Sequence, residues 1–186
     1  MTFQKGMLTF NLSDTRFVEL VSTLAANGVS WRLGGTPQDY LLYEEENGHW
    51  PAEDCWDGHV GGPIPNRNIC LSRARVRALC SFAASMKSIG PFKWFFGLNA
   101  LFGRNSSTSP MDMSNLKSFV EYVERIGCKI DVFELGNENN FKNPPPNHFI
   151  DPRAWAGDFA RLQSLVQEKF EACKDKFLRF FVVIFC

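Results

Sequence analysis

The chain has 186 residues, 45% of them hydrophobic and 22% charged, an ordinary globular composition with enough length for one domain and a sizeable core. Twenty basic and twenty acidic side chains cancel, which argues against a protein held to nucleic acid or to a membrane by its overall field. No stretch approaches the ~20 apolar residues of a membrane-spanning helix, and residues 1–10, interrupted by Lys5 and Gly6, do not read as a signal peptide.

Phe17, Leu20, Val21 and Leu24 share one helical face, so a first helix is expected over residues 14–27, capped by Ser13 or Asp14 and ended by Gly28. Val29–Leu33 reads as a short strand stopped by Gly34-Gly35. Residues 36–70 are the irregular part, with turn chemistry at Asn47-Gly48, Gly61-Gly62-Pro63 and Pro65-Asn66. A connection of this length is usually functional or mobile. A second helix is expected over 72–88, with Arg73, Arg75 and Arg77 on its solvated part. Phe92–Leu98 follows as a strand whose nearly continuous apolar run suits cover on both faces.

After the polar loop 103–112, a third helix starts near Ser114 with Leu116, Phe119, Val120, Val123 and Ile126 as its buried stripe, and Gly127 ends it. Ile130–Leu135 is a strand. The loop 136–150 holds Pro144-Pro145-Pro146, which cannot be helical. Asp151-Pro152 opens a fourth helix as a cap residue followed by proline at the first helical position. From it Trp155, Phe159, Leu162 and Val166 face inward, and Phe177–Phe185 closes the chain with the composition of a buried strand.

Alternating strands and helices imply an α/β fold with a parallel sheet. No GxGxxG follows a strand, and Gly34-Gly35 leads into a loop, so a dinucleotide-binding sheet is disfavoured against a (β/α)8 TIM barrel. A full barrel needs about 250 residues; four complete or partial strands make an incomplete one, roughly the first half. The six cysteines form no CxxC pair and no zinc-like spacing with histidine, so no metal and no cofactor are implied. Asn11-Leu12-Ser13 and Asn105-Ser106-Ser107 are sequons that would accept glycans on a secretory route.

The segment Glu134-Leu135-Gly136-Asn137-Glu138 carries the candidate chemistry. Glu138 falls where the strand ends, at the mouth where barrel enzymes gather catalytic groups. A carboxyl partly desolvated there has its pKa raised enough to protonate a glycosidic oxygen, and Asn137 beside it can hydrogen-bond a sugar hydroxyl. Gly136 leaves room for a substrate ring or a neighbouring backbone. The plainer reading of Glu138 is a surface carboxylate in a loop, and spacing alone favours it. Glu134 reads as structural, a buried acid in need of a partner that Arg32 on the neighbouring strand could supply. Trp31, Trp94 and Trp155 offer sugar-stacking faces, although their spacing suits a core better.

Three stretches, Trp31-Arg32-Leu33-Gly34-Gly35-Thr36-Pro37-Gln38-Asp39, Phe96-Gly97-Leu98-Asn99-Ala100-Leu101 and Phe133-Glu134-Leu135-Gly136-Asn137-Glu138, resemble successive motifs of glycoside hydrolase family 79, the heparanase and plant heparanase-like endo-β-glucuronidases. The resemblance runs from about residue 11 to the end. It implies a (β/α)8 barrel, a retaining mechanism on β-linked glucuronides in oligosaccharides or polysaccharides, and a secreted or lysosomal protein. It implies that Glu138 is the acid/base, that Asn137 contacts the sugar, and that Thr36 stands where the family has a substrate-contacting threonine. Asn99 and Asp39 lie within matching motifs, as substrate contacts or as supports.

A retaining glycosidase also needs a nucleophilic carboxylate, which the family takes from a strand late in the barrel. Glu44-Glu45-Glu46 reads as a solvated charge run and not as its substitute. The expectation is a partial catalytic barrel over 1–186, without the C-terminal half-barrel and β-domain, inert and poorly folded alone. Two other readings stay open: a non-catalytic glycan-binding or regulatory product, and a hydrolase acting on xylosides, arabinosides or glucosides.

Overall fold

The computed structural model describes residues 11–51, 68–137, 149–170 and 183–185, and for Thr36, Asn47 and residues 183–185 it describes the backbone only. Helix α1 (Thr15–Ala26) leads into β1 (Val29–Leu33), then β2 (Leu41–Tyr43) and β3 (Ile69–Leu71). Next come α2 (Arg73–Ile89), β4 (Phe92–Leu98), α3 (Ser114–Arg125), β5 (Val132–Leu135), α4 (Pro152–Lys169) and β6 (Val183–Phe185).

The helices begin where the capping chemistry puts them. Asp14 accepts from Phe17 N at 3.0 Å, and Ser72 Oγ accepts from Arg75 N at 3.1 Å. Asp151 accepts from Arg153 N at 2.9 Å ahead of Pro152. Each such cap is worth about 1 kcal/mol.

The main sheet has the order β1-β4-β5-β6. Strands β1, β4 and β5 are parallel, with Arg32 opposite Phe95, Phe95 opposite Val132, and Gly97 opposite Glu134. Strand β6 pairs antiparallel with β5, against the direction a further barrel strand would take. A three-residue edge strand can pair with an open edge either way, and antiparallel pairing is slightly the more stable per residue; apolar composition carries no sign of direction. The described strands form an open sheet and do not close a barrel.

Side-chain alternation divides the sheet into two unlike faces. Leu33, Phe92, Trp94, Phe96, Leu98, Phe133 and Leu135 are buried toward the helices, where they meet Leu79, Phe82 and Met86 of α2 and Phe119, Val120 and Val123 of α3. Phe96 stacks on Phe119 at 5.0 Å, and Phe119 on Tyr43 at 4.1 Å, pairs worth ~0.5–1.5 kcal/mol each beyond their burial. On the other face Ser30, Arg32 and Lys93 are exposed and Phe95 and Glu134 half-buried. The apolar run of β4 is therefore not covered alike on both sides.

The described parts of residues 36–70 hold more regular structure than the turn chemistry of that stretch suggests. A 3-10 turn covers Thr36–Tyr40, and β2 pairs in parallel with β3. Strands of three residues leave no periodic signal to read, and their pairing spans a long separation in sequence. Strand β5 begins at Val132, later than expected, because Asp131 uses its carboxylate to accept from Trp94 N at 2.7 Å. Cys80 and Cys128 form a disulfide that ties α2 to the turn after α3; closing a loop with a sequence separation of 48 stabilises the fold by about 4 kcal/mol in the chain-entropy account. Cys70 is disulfide-bonded as well.

Candidate active site

The C-terminal ends of β1, β4 and β5 lie side by side in the sheet, and the three motif segments leave it there. Asn137, two residues past β5, ends the described run 68–137. Gly136, just before it, takes a left-handed φ of 72°, a conformation that a side chain disfavours. Its N–H donates to Leu98 O at 2.8 Å, so the chain turns sharply while still tied to β4. Asn137 N donates to Asp39 Oδ1 at 3.0 Å, and Asn137 Oδ1 accepts from Arg32 Nη2 at 3.4 Å. The residue before Glu138 is thus held by main chain and side chain together. Glu138 itself lies outside the described residues.

Arg32 also donates through Nε to Glu134 Oε2 at 2.6 Å, the contact suggested by two charges inside apolar strands. One guanidinium therefore links β1, β5 and Asn137. The backbone of Thr36 opens the 3-10 turn that follows Gly35. Asp39 and Asn99 are buried; Asp39 meets main chain through Oδ1, Asn99 through both ends of its amide. Asn99 Oδ1 accepts from Leu101 N at 2.8 Å and from Phe102 N at 3.1 Å, and its Nδ2 donates to Leu41 O at 3.0 Å. Burial, helped by the Asp39 carboxylate, pushes the neighbouring Tyr40 phenol up.

Gln38, named above only as part of a motif, lies beside these groups. It is fully buried, accepts from Gly35 N at 2.9 Å and from Arg32 Nη2 at 3.4 Å, and donates to Leu98 O at 3.4 Å. Its amide lies across Gly97, where an added Cβ would stand 2.2 Å from Gln38 Oε1. A glycine inside the apolar run of β4 was the available sign that another group comes close there.

Trp31, Trp94 and Trp155 pack in or against the core. Trp94 is fully buried, and Trp31 packs edge-on against Phe82 at 5.2 Å. Trp155 is half-buried and donates through Nε1 to Leu135 O at 3.3 Å. Arg73 and Arg77 are likewise less free than a solvated helix face implies: Arg73 lies 4.6 Å over the Tyr122 ring, and Arg77 Nε donates to Tyr122 Oη at 2.7 Å. Among the described residues no group of three His, Cys, Asp or Glu could hold a metal, and no helix is long and apolar enough to cross a membrane.

Comparison with known proteins gives this arrangement its context. The family described as "Glycosyl hydrolase family 79, N-terminal domain" matches residues 2–180. Heparanase-like protein 3 of Arabidopsis thaliana is 30% identical over 118 residues, covering 58% of this chain and 20% of that protein. The chain therefore spans about a fifth of the length of this curated relative. With a match over nearly its whole length, the chain belongs to glycosyl hydrolase family 79, a glycosidase family, and carries its N-terminal domain.

Proposed function

We propose that these residues supply the acid/base side of a retaining glycosidase that cleaves β-linked glucuronides in oligosaccharides or polysaccharides. Glu138 is the acid/base and Asn137 its neighbour on the sugar. The observation that carries this reading is the double hold on Asn137, by Asp39 at its N–H and by Arg32 at its amide. A proton donor must come within hydrogen-bond reach of the glycosidic oxygen, and a fixed residue beside it limits where it can stand. Thr36 is a further substrate contact, while Asp39, Asn99 and Arg32 position the loop ends, with Glu134 holding Arg32.

The chemistry runs in two steps. Glu138 protonates the leaving oxygen as a second carboxylate attacks the anomeric carbon; Glu138 then takes a proton from the water that releases the sugar. Asp39 Oδ1 and Glu134 are already engaged by Asn137 N and by Arg32, so neither is proposed as that nucleophile, and the reading takes it from outside this N-terminal domain. The oxidised Cys80–Cys128 pair supports an extracellular or lysosomal setting, since disulfides persist in oxidising compartments.

The test is hydrolysis of aryl β-glucuronide, β-xyloside and β-glucoside by the longest natural polypeptide that carries these residues. The reading expects glucuronide to be preferred and Glu138→Gln to lose about 10²–10⁴-fold. Preference for another sugar would overturn the substrate, and unchanged rates in Glu138→Gln would overturn its role. Residues 1–186 alone should be inert; turnover by them that Glu138→Gln abolishes would refute the external nucleophile.

A further inference from the structure

The sequon at the start of the described chain has a geometry suited to modification. Asn11 and Ser13 are both exposed. Asn11 Oδ1 accepts from Ser13 N at 3.1 Å and from Ser13 Oγ at 2.7 Å. Asp14 N donates to Asn11 O at 3.1 Å and closes the turn. Both side-chain contacts fall on the amide oxygen, so Nδ2 has no hydrogen-bond partner among the described residues. The second sequon differs: Asn105 is exposed too, but its amide makes no bond to Ser107, whose carbonyl accepts from Asp151 N at 2.8 Å.

We infer that Asn11 is an N-glycosylation site, its acceptor amide activated by Ser13. In the transfer, Nδ2 attacks the anomeric carbon of a lipid-pyrophosphate-linked oligosaccharide. The carbon–nitrogen bond forms as the bond from that carbon to the pyrophosphate oxygen breaks. The lipid pyrophosphate leaves with the bonding electrons, and a proton passes from Nδ2 to a base of the transferase. As that proton leaves, negative charge gathers on Oδ1, where two donors already point; preplaced donors stabilise developing charge of this kind. Turn and hydroxyl both lie within four residues, so the acceptor geometry needs no long-range contact to form. The Cys80–Cys128 disulfide gives a second line of support, because it belongs to the same oxidising compartments. The inference rests in this respect on the compartment proposed above, and the test separates the two.

The experiment uses the full chain, expressed through the secretory route of a eukaryotic host with Asn105→Gln so that one sequon remains. Expected is an endoglycosidase-sensitive gain in mass, mapped to Asn11 by its conversion to aspartate on enzymatic deglycosylation. Asn11→Gln and Ser13→Ala should abolish it, while Ser13→Thr, which keeps the hydroxyl, should retain it. An unmodified Asn11 in a chain whose Cys80–Cys128 pair is oxidised overturns the site and leaves the compartment standing. Free thiols at Cys80 and Cys128 overturn the compartment, and together with an unmodified Asn11 they overturn both.

Discussion

Two ion pairs show how differently this domain treats its charges. Asp158 on α4 pairs with Arg104, and their side chains are 1% and 4% exposed. Glu134 pairs with Arg32, at 17% and 47%. Asp158 also accepts from Arg161 and from Met111 N at 3.3 Å, and Arg104 donates to Ala100 O at 3.1 Å and to Ser109 O. That network closes the loop after β4 onto α4. The Arg32 pair keeps one edge in solvent and extends toward Asn137. The first must be complete to be tolerated, since a buried charge without its partner is costly; the second is screened, and its value lies in where it puts the neighbouring group.

The largest effect should come from breaking the buried network. Asp158→Ala strands Arg104 among carbonyls and is expected to cost about 3–5 kcal/mol in urea unfolding. A loss under about 1 kcal/mol would show that water reaches Arg104, and the contrast between the two pairs would disappear. Next in size is the seat of Gln38. Gly97→Ala forces a Cβ against a fully buried amide, an overpacking expected to cost about 1–3 kcal/mol. Gln38→Ala in the same chain should recover part of that loss, because the two share one contact; strict additivity would mean the glycine is there for another reason.

These two sites were not equally legible. The acid–arginine network joins residues 54 and 47 positions apart, and nothing in the local pattern distinguishes Asp158 from a solvated helix acid. The starts of helices α1, α2 and α4 could be read to within a residue because caps such as Asp14, Ser72 and Asp151-Pro152 are local chemistry. The Arg32–Glu134 contact could be anticipated because a charge inside an apolar strand asks for a neighbour. Gln38 had no such mark of its own, since a neutral amide that meets Gly35 N, Arg32 Nη2 and Leu98 O shows in sequence only through the glycine at 97. Strands β2 and β3, three residues each, owe their existence to each other and to Asn115, which accepts from Tyr43 N at 2.9 Å and donates to Tyr43 O at 2.7 Å.

Tyr43 gives a buried polar group of a third kind, neutral and unable to ionise in place. Burial pushes its phenol far above the ordinary value of 10.0. The folded form therefore keeps its proton while the unfolded form loses it, so stability is full below pH 10 and falls as pH rises beyond it. The slope from this group is ~1.4 kcal/mol per pH unit. In an ultraviolet titration the Tyr43 transition should coincide with unfolding, and Tyr43→Phe should flatten the alkaline limb. Ionisation of Tyr43 in the folded chain would contradict this.

The smallest effect on stability is expected at the exposed pair, and there stability and function should part. Arg32→Met keeps an unbranched apolar stem and removes the guanidinium. With Arg32 half in solvent, the pair is worth at most about 1 kcal/mol, so urea midpoints should hardly move. Glu134→Gln, which keeps a hydrogen-bond acceptor for Arg32, should move them less still. Yet Arg32→Met frees the Asn137 amide, and a misplacement near 1 Å at a reacting group can cost on the order of 10²-fold in rate. Measured on the longest natural polypeptide, the loss should fall mainly on kcat, with Glu134→Gln intermediate. If Arg32→Met lost stability and activity together, the pair would be structural like that of Asp158. A large kcat loss at constant stability would mark Arg32 as the link through which β1 sets the position of Asn137 beside Glu138.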